Sequence, residues 1–431
     1  MNDSPDATMH PPDAEPDAAA VAFVLHLGRA LHRYGESSHR LEEILGAMAD
    51  RLHLAGAQFF SQPTSIMASF GPLGAQRTYM LRVEPGDVDL SKLAAAERVA
   101  LDVAQGRVTA AAGTAALDEI AAAAPPYGPA LTTLAFAGLS GAACQLLGGG
   151  AREVAAAALL GIVVRLFSLL AARAPRLGRV FEPLAALLVS AVAVALAHLA
   201  GPLSVLVATL AGLIVLLPGL TVTTALSELA SRHLASGTAK LSGAFITFLG
   251  LGFGVALGNA VGSAALGGVP AAQPVPLPPW ASLAAIGLAP LCAIVALRAA
   301  PRDAPWILAA AVLGVEGGRM GADALGVELG AFAGAFVVGL ASNAYARWRH
   351  APPAVVLVPG ILLLVPGSVG FRSLTSLMER QALAGIEGAF SMILTAVALA
   401  SGLLMAGVVA PEPPLRAEPS SPGRRARPLS R

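Results

Sequence analysis

From position 129 onward the chain is a succession of apolar runs, whereas residues 18–126 interleave polar and apolar positions at helix and strand spacing. Val21, Val24, Leu25 and Leu31 recur on one helical face, which predicts an amphipathic helix over Ala18–Tyr34 stopped by Gly35. Ser37 or Ser38 caps a second helix to about Leu54, with Leu41, Ile44, Leu45, Met48 and Leu52 on one side. Gln58–Ser61, Ser65–Phe70 and Thr78–Val83 read as short strands, separated by Pro63 and the Gly71-Pro72-Leu73-Gly74 turn. Two further helices, Leu90–Gln105 and Thr109–Ala124, end at Pro125-Pro126. The expectation for 18–126 is a small α+β domain.

Ten apolar segments follow, near 131–149, 152–172, 183–200, 203–217, 240–262, 281–299, 305–321, 327–346, 354–366 and 385–410. Several fall short of the roughly 20 residues that a spanning helix needs, above all those ending at Pro218 and Pro366. The predicted class is an all-α polytopic membrane protein of about ten transmembrane helices. With the N-terminus inside, inner loops and the C-terminal tail carry 14 Lys and Arg against 4 outside, which obeys the positive-inside rule. Residues 1–17 are acidic and Pro-rich without the basic and apolar regions of a signal peptide, so they read as a disordered tail. The α+β domain is then expected in the cytoplasm, as is the basic tail 411–431.

Composition sharpens the class. Of 431 residues 55% are hydrophobic and 13% charged, about half the charged share of a soluble domain. A net charge of +1 leaves no basic footprint for nucleic acid. Cys144 and Cys292 lie in apolar runs and build no disulfide framework. No spacing of His, Cys, Asp or Glu makes a metal site, and neither a cofactor nor a catalytic residue is expected.

The two membrane halves match at a nearly constant offset. Thr133–Ser140 is similar to Ser282–Ala289, 149 positions later. Leu216-Leu217-Pro218-Gly219 matches Leu364-Val365-Pro366-Gly367 at 148, and Gly243-Ala244-Phe245 matches Gly388-Ala389-Phe390 at 145. Five spans per half would turn the second repeat upside down, so 130–265 and 281–410 are expected to be inverted repeats joined by the Pro-rich outer linker 266–280. Secondary transporters of that plan place their site where interrupted helices meet near the midplane. The paired interruptions here are Pro218-Gly219 and Pro366-Gly367, with Pro359-Gly360 shortly before the second.

These residues also carry a resemblance. Tyr34-Gly35-Glu36-Ser37-Ser38-His39-Arg40-Leu41-Glu42, Gln62-Pro63-Thr64-Ser65-Ile66, Leu217-Pro218-Gly219-Leu220-Thr221, Ala225-Leu226-Ser227-Glu228-Leu229 and Pro353–Ser368 resemble the bacterial threonine/serine exporter family. The resemblance covers nearly the whole chain apart from its tails. It implies a cytoplasmic N-terminal domain, ten membrane helices in the inner membrane, and export of threonine and serine driven by the proton motive force. Split relatives associated with succinate export make a dicarboxylate the alternative cargo. The polar stretch Glu316–Glu328 departs from the family pattern. A membrane-embedded sensor with the N-terminal domain as output, or a membrane enzyme using that domain, are the other readings. Beyond substrate, protons and lipid no partner is implied, and the oligomeric state stays open.

Each candidate residue has two readings. Pro218-Gly219 and Pro366-Gly367 either expose helix N-termini to a substrate carboxylate or merely end helices at the membrane surface. Thr221, Thr224 and Ser368 either bind substrate or cap the next helix. Glu228 binds the substrate ammonium or the coupling proton, or else pairs with Arg232 at i+4. Glu316, a further proton-coupling candidate, and Arg319 lie in a span or in an outer loop; Asp323 and Glu328 are expected in the loop. Arg165, mid-span, holds a carboxylate or pairs with Glu387, itself a proton-coupling candidate. Asn259 and Asn343 are expected to bond between helices, and Gly250–Gly258 to allow close packing. His26, His32, His39 and His53 with Glu36, Glu42 and Glu43 read as a solvated helix face. Gly35, Ser37, Arg40 and Glu42 alternatively serve regulation or docking on inner loops.

Overall fold

The computed structural model describes residues 17–411 apart from 85, 270 and 271, and leaves out the side chains of Leu325, Val327 and Glu328. The expected tails fall almost wholly outside the described residues. Helix α1 (Ala18–Arg33) starts at Asp17, whose side chain accepts from the Ala19 amide, and ends at Gly35, held at φ +100°. Helix α2 (Ser38–Arg51) follows, then an antiparallel meander of β1 (Gln58–Gln62), β2 (Ser65–Phe70) and β3 (Arg77–Arg82). Ile66, Ala68 and Phe70 turn inward beneath α1 and α2, so the alternation seen in sequence separates the two sheet faces. Helices α3 (Leu90–Ala104) and α4 (Ala110–Ala122), capped by Asp89 and Thr109, close this N-terminal unit.

The remainder is helical. Helices α5 (Pro129–Leu146), α6 (Ala151–Arg173), the short α7 (Pro175–Gly178), α8 (Phe181–Leu199), α9 (Val205–Gly212), α10 (Gly219–Ala230) and α11 (Leu234–Leu266) form the first half. The second half contains α12 (Pro279–Ala296), α13 (Ala304–Leu325), α14 (Val327–Arg349), α15 (Ala354–Ile361), α16 (Gly367–Met378) and α17 (Ala382–Val409). Among the described residues six helices are long and apolar enough to cross a membrane: α6, α8, α11, α12, α14 and α17. A seventh results if α9 and α10, bent by 51° at their break, count as one span. The ten expected segments are therefore not ten full spans. Thr132, Thr133, Ser140 and Gln145 dilute α5, while Glu316, Arg319 and Asp323 put three charges on α13. The segments ending at Pro218 and Pro366 each hold only an eight-residue α-helix, α9 and α15, ahead of the break.

Corresponding elements have matching lengths: α5 and α12 have 18 residues, α9 and α15 have 8, and α10 and α16 have 12. Pro218 and Pro366 cap α10 and α16 at their N-termini, and Arg232 and Arg380 follow their C-termini with φ +66° and +65°. Helices α8 and α11 pack backbone to backbone, since a Cβ at Gly254 or Gly258 would run into the carbonyl of Pro183 or Leu187. The expected glycine packing is realised there.

Candidate functional site

The α10 and α16 N-termini meet head to head. A Cβ on Gly219 would lie 2.8 Å from the Cα and N of Gly367, and one on Gly367 would lie 3.2 Å from the Gly219 Cα. Only glycine permits this approach, which explains why a Pro-Gly pair recurs in both halves. Val222 N and Gly370 N are the first amides with a partner behind them, Pro218 O at 2.9 Å and Pro366 O at 3.1 Å. The three amides before each have no acceptor within their own helix, and each N-terminus carries about half a positive charge.

A cavity of about 620 Å³ opens at this meeting point. Pro218, Gly219, Thr221, Gly367 and Ser368 line it, as do α5 and α12 through Leu139, Ala143, Ala289 and Ala293. Two polar residues unmarked in the sequence join them, Glu182 from the first turn of α8 and Thr247 from α11. Val88 of the N-terminal unit reaches the rim. Glu182 is the one charged residue in the described lining. Its signal in sequence is slight: an acid beside Pro183 at the start of an apolar run.

Other expected site residues lie elsewhere. Pro366 adjoins the lining as the cap of α16. Thr224 donates its hydroxyl to Thr221 O at 3.0 Å and is absent from the lining. Arg165 lies over the Phe136 ring at 5.5 Å and donates to Ser168 Oγ at 3.3 Å; Glu387 is exposed, and no ion pair joins the two. Glu316 and Arg319 pair with each other at 2.8 Å, both about half exposed on α13. Asp323 is exposed within α13 rather than in a loop. Asn343 donates to Ala410 O at 2.8 Å, at the end of a neighbouring helix, whereas Asn259 is exposed.

Glu228 is buried at a junction with the N-terminal unit. Its Oε1 accepts from Ser38 N at 3.0 Å and from Lys240 Nζ, and its Oε2 from Ser236 Oγ at 2.8 Å. The expected Arg232 pairing is absent because Arg232, at φ +66°, ends the helical geometry that i+4 contact requires. The turn brings α11 back alongside and presents Lys240 instead. His233 continues the junction, 3.4 Å from Glu42 and with its ring 6.1 Å from that of His39. The expectation of a solvated face is thus corrected in part: His39 and Glu42 face His233, His32 bonds to Gln62 O and Glu36 is buried, while Glu43 and His53 are exposed. Burial lowers the His32 and His39 pKa values. It pushes the Glu97 carboxyl up to about 7, aided by Glu36 and opposed by Arg40, which lies between both acids.

The N-terminal unit also grips the second half. Leu90 N and Ser91 N donate to Leu297 O and Arg298 O, each at 3.1 Å. Arg298 reaches Asp87 at 3.2 Å and Asp89 at 3.4 Å, and Tyr127 donates to Ala299 O at 2.7 Å.

Comparison with known proteins agrees with this layout. Residues 22–262 match the family described as "Putative threonine/serine exporter", and residues 305–409 match "Threonine/Serine exporter, ThrE". "Pheromone-regulated membrane protein 10" of Yarrowia lipolytica is 27% identical over 362 residues, covering 80% of this chain and 30% of the relative. Its namesake in Debaryomyces hansenii is 26% identical over 381 residues (85% and 37%). That in Saccharomyces cerevisiae is 31% identical over 246 residues (56% and 31%). The chain thus spans about a third of the length of these curated relatives. No solved structure matches. The family matches run through the N-terminal unit, both Pro-Gly breaks and the helices around the cavity other than α12, and the chain belongs to the threonine/serine exporter family of membrane proteins.

Proposed function

We propose that this protein exports threonine and serine from the cytoplasm through the central cavity, energised by the proton motive force. The observation that carries this reading is the cavity's charge pattern: two helix N-termini meet over a space whose one charge among the described lining residues is the Glu182 carboxylate. An α-amino acid is complementary to it. Its carboxylate faces the free amides after Pro218 and Pro366, its ammonium faces Glu182, and its hydroxyl faces Thr221, Thr247 or Ser368. Glu182 is also the carboxylate best placed to exchange a proton with the cargo. Glu228, held by three donors at the domain junction, holds that junction together instead.

The matched lengths of α5 and α12, α9 and α15, and α10 and α16 support two inverted repeats that rock about the cavity in alternating access. On this reading all ten apolar segments lie in the bacterial inner membrane, with both termini in the cytoplasm. A second reading has one observation in its favour: two N-termini suit two carboxylates, as in succinate. Glu182 opposes it.

Efflux of labelled threonine from cells preloaded with a threonine dipeptide, with and without a protonophore, tests the proposal. Export should accelerate with the protein and collapse with the proton gradient. Glu182→Gln should slow threonine efflux at least tenfold, and succinate efflux should stay at background. Faster succinate efflux, without any for threonine, overturns the cargo; no flux of either overturns the transporter.

A further inference from the structure

A second cavity, of about 600 Å³, lies between α8, α9, α11 and α16. It is remote from the N-terminal unit: Asn259 in its wall is 23 residues, roughly 35 Å, along α11 from Ser236 at the junction. Its lining is markedly polar for a space between membrane helices, with Ser190, Thr209, Asn259, Ser263, Thr375 and Glu379. Ser190 and Thr375 spend their hydroxyls on backbone carbonyls, Val255 O at 3.0 Å and Arg372 O at 2.8 Å. Thr209 does not. It is 1% exposed, and its Oγ1 makes no hydrogen bond. Threonines inside helices usually return the hydroxyl to a carbonyl one turn back, as Thr223 does to Gly219 O at 3.1 Å. An orphaned buried hydroxyl on a residue of the cavity wall is a donor and acceptor that a turn about χ1 would offer to something the cavity holds.

Helix packing alone does not require this polarity. In the second half, Val358 stands 149 positions after Thr209, and Leu404 stands 145 after Asn259, the offset that relates α11 to α17. Glu379 is the one charge in the described lining; it is exposed and forms no ion pair among the described residues. We propose that this cavity is a second substrate site for a small solute with a primary ammonium and hydrogen-bonding groups. Glu379 receives the ammonium, while Thr209 and Asn259 engage the polar remainder. The exporter reading supplies its occupant, the hydroxy amino acid after it leaves the central cavity.

Ala256→Cys supplies a reporter in a chain whose buried Cys144 and Cys292 are replaced by alanine, with Ser263→Cys as a second reporter. The purified full chain in lipid nanodiscs is labelled with a maleimide while L-threonine or L-serine is titrated. Both reporters should label, and either amino acid should protect them. Glu379→Gln should raise the half-protecting concentration at least tenfold, and Thr209→Val at least threefold. A reporter that never labels, labelling without protection, or equal protection by succinate each overturns the site. Threonine efflux measured in cells separates the two proposals. Efflux without protection removes this site alone, whereas protection without efflux removes the exporter reading and leaves a binding site.

Discussion

Helices α10 and α16 begin alike and end in different company. Each follows a Pro-Gly pair, runs 12 residues and stops at a left-handed arginine. At the shared start Gly219 and Gly367 touch, and neither half can change without the other. At the far ends the likeness stops. The last turns of α10 bury Glu228 among Ser38, Ser236 and Lys240, while the end of α16 leaves Glu379 exposed on the second cavity. Likeness is kept where both halves build one cavity, and difference appears where each meets a separate neighbour.

Breaking the α10 end should have the largest effect on stability. Glu228→Ala strands the Lys240 ammonium and the Ser38 amide at a buried junction, at about 3–5 kcal/mol. Faster hydrogen exchange in α2 and proteolytic release of the N-terminal unit would register it. Arg298→Ala, at the other grip, should cost about 1–2 kcal/mol, because its Asp87 partner is solvated and the buried Asp89 carboxylate keeps its bond from the Lys92 amide. Equal losses at both grips would erase the comparison. The common start comes next. Gly219→Ala or Gly367→Ala overfills the contact, at about 1–3 kcal/mol. Gly219→Ala should lower the melting temperature more, since its Cβ would lie 2.8 Å from Gly367 against 3.2 Å in the reverse case, and each should reduce efflux far more than it reduces stability. A harmless alanine at either position would remove the head-to-head packing.

The smallest effect lies inside the N-terminal unit. Folded Glu97 keeps its proton to about 7 against an ordinary value of 4.5. Between those values the folded state binds the extra proton, so stability falls as pH rises, by at most about 1.4 kcal/mol per pH unit. Wild type should therefore lose on the order of 1 kcal/mol between pH 5.5 and 6.5, and Glu97→Gln should not. Parallel melting curves for the two proteins would show that Glu97 titrates normally.

The Pro-Gly pairs are legible in the amino-acid order itself because backbone chemistry acts locally: proline lacks a donor, and glycine alone tolerates a touching backbone. Strand β2 is legible to the residue, since its alternation follows from one face being buried. Partners across a turn are not. Glu228 and Lys240 lie 12 positions apart, and only the reversal at Arg232 makes them neighbours. Glu182 stays hidden because an acid in the first turn of a helix is ordinary; its meaning comes from Gly219 and Gly367, which the fold brings from far along the chain. His39 at the start of α2 misleads for the same reason, as the helices that cover it lie about 190 residues downstream.

The N-terminal unit is fastened at two points, on the α10–α11 turn and on the α12–α13 turn. A body pinned to two others acts as a clamp, and whatever work parts its anchor points must first undo one fastening. On the exporter reading, that undocking free energy enters the resting balance between inward and outward access, tenfold in the ratio for each 1.4 kcal/mol. Turnover on that reading is throttled from the two fastenings, which lie apart from the Val88 contact with the cavity rim. A change that loosens the clamp, with no contact to cargo, resets how often each side of the membrane is served.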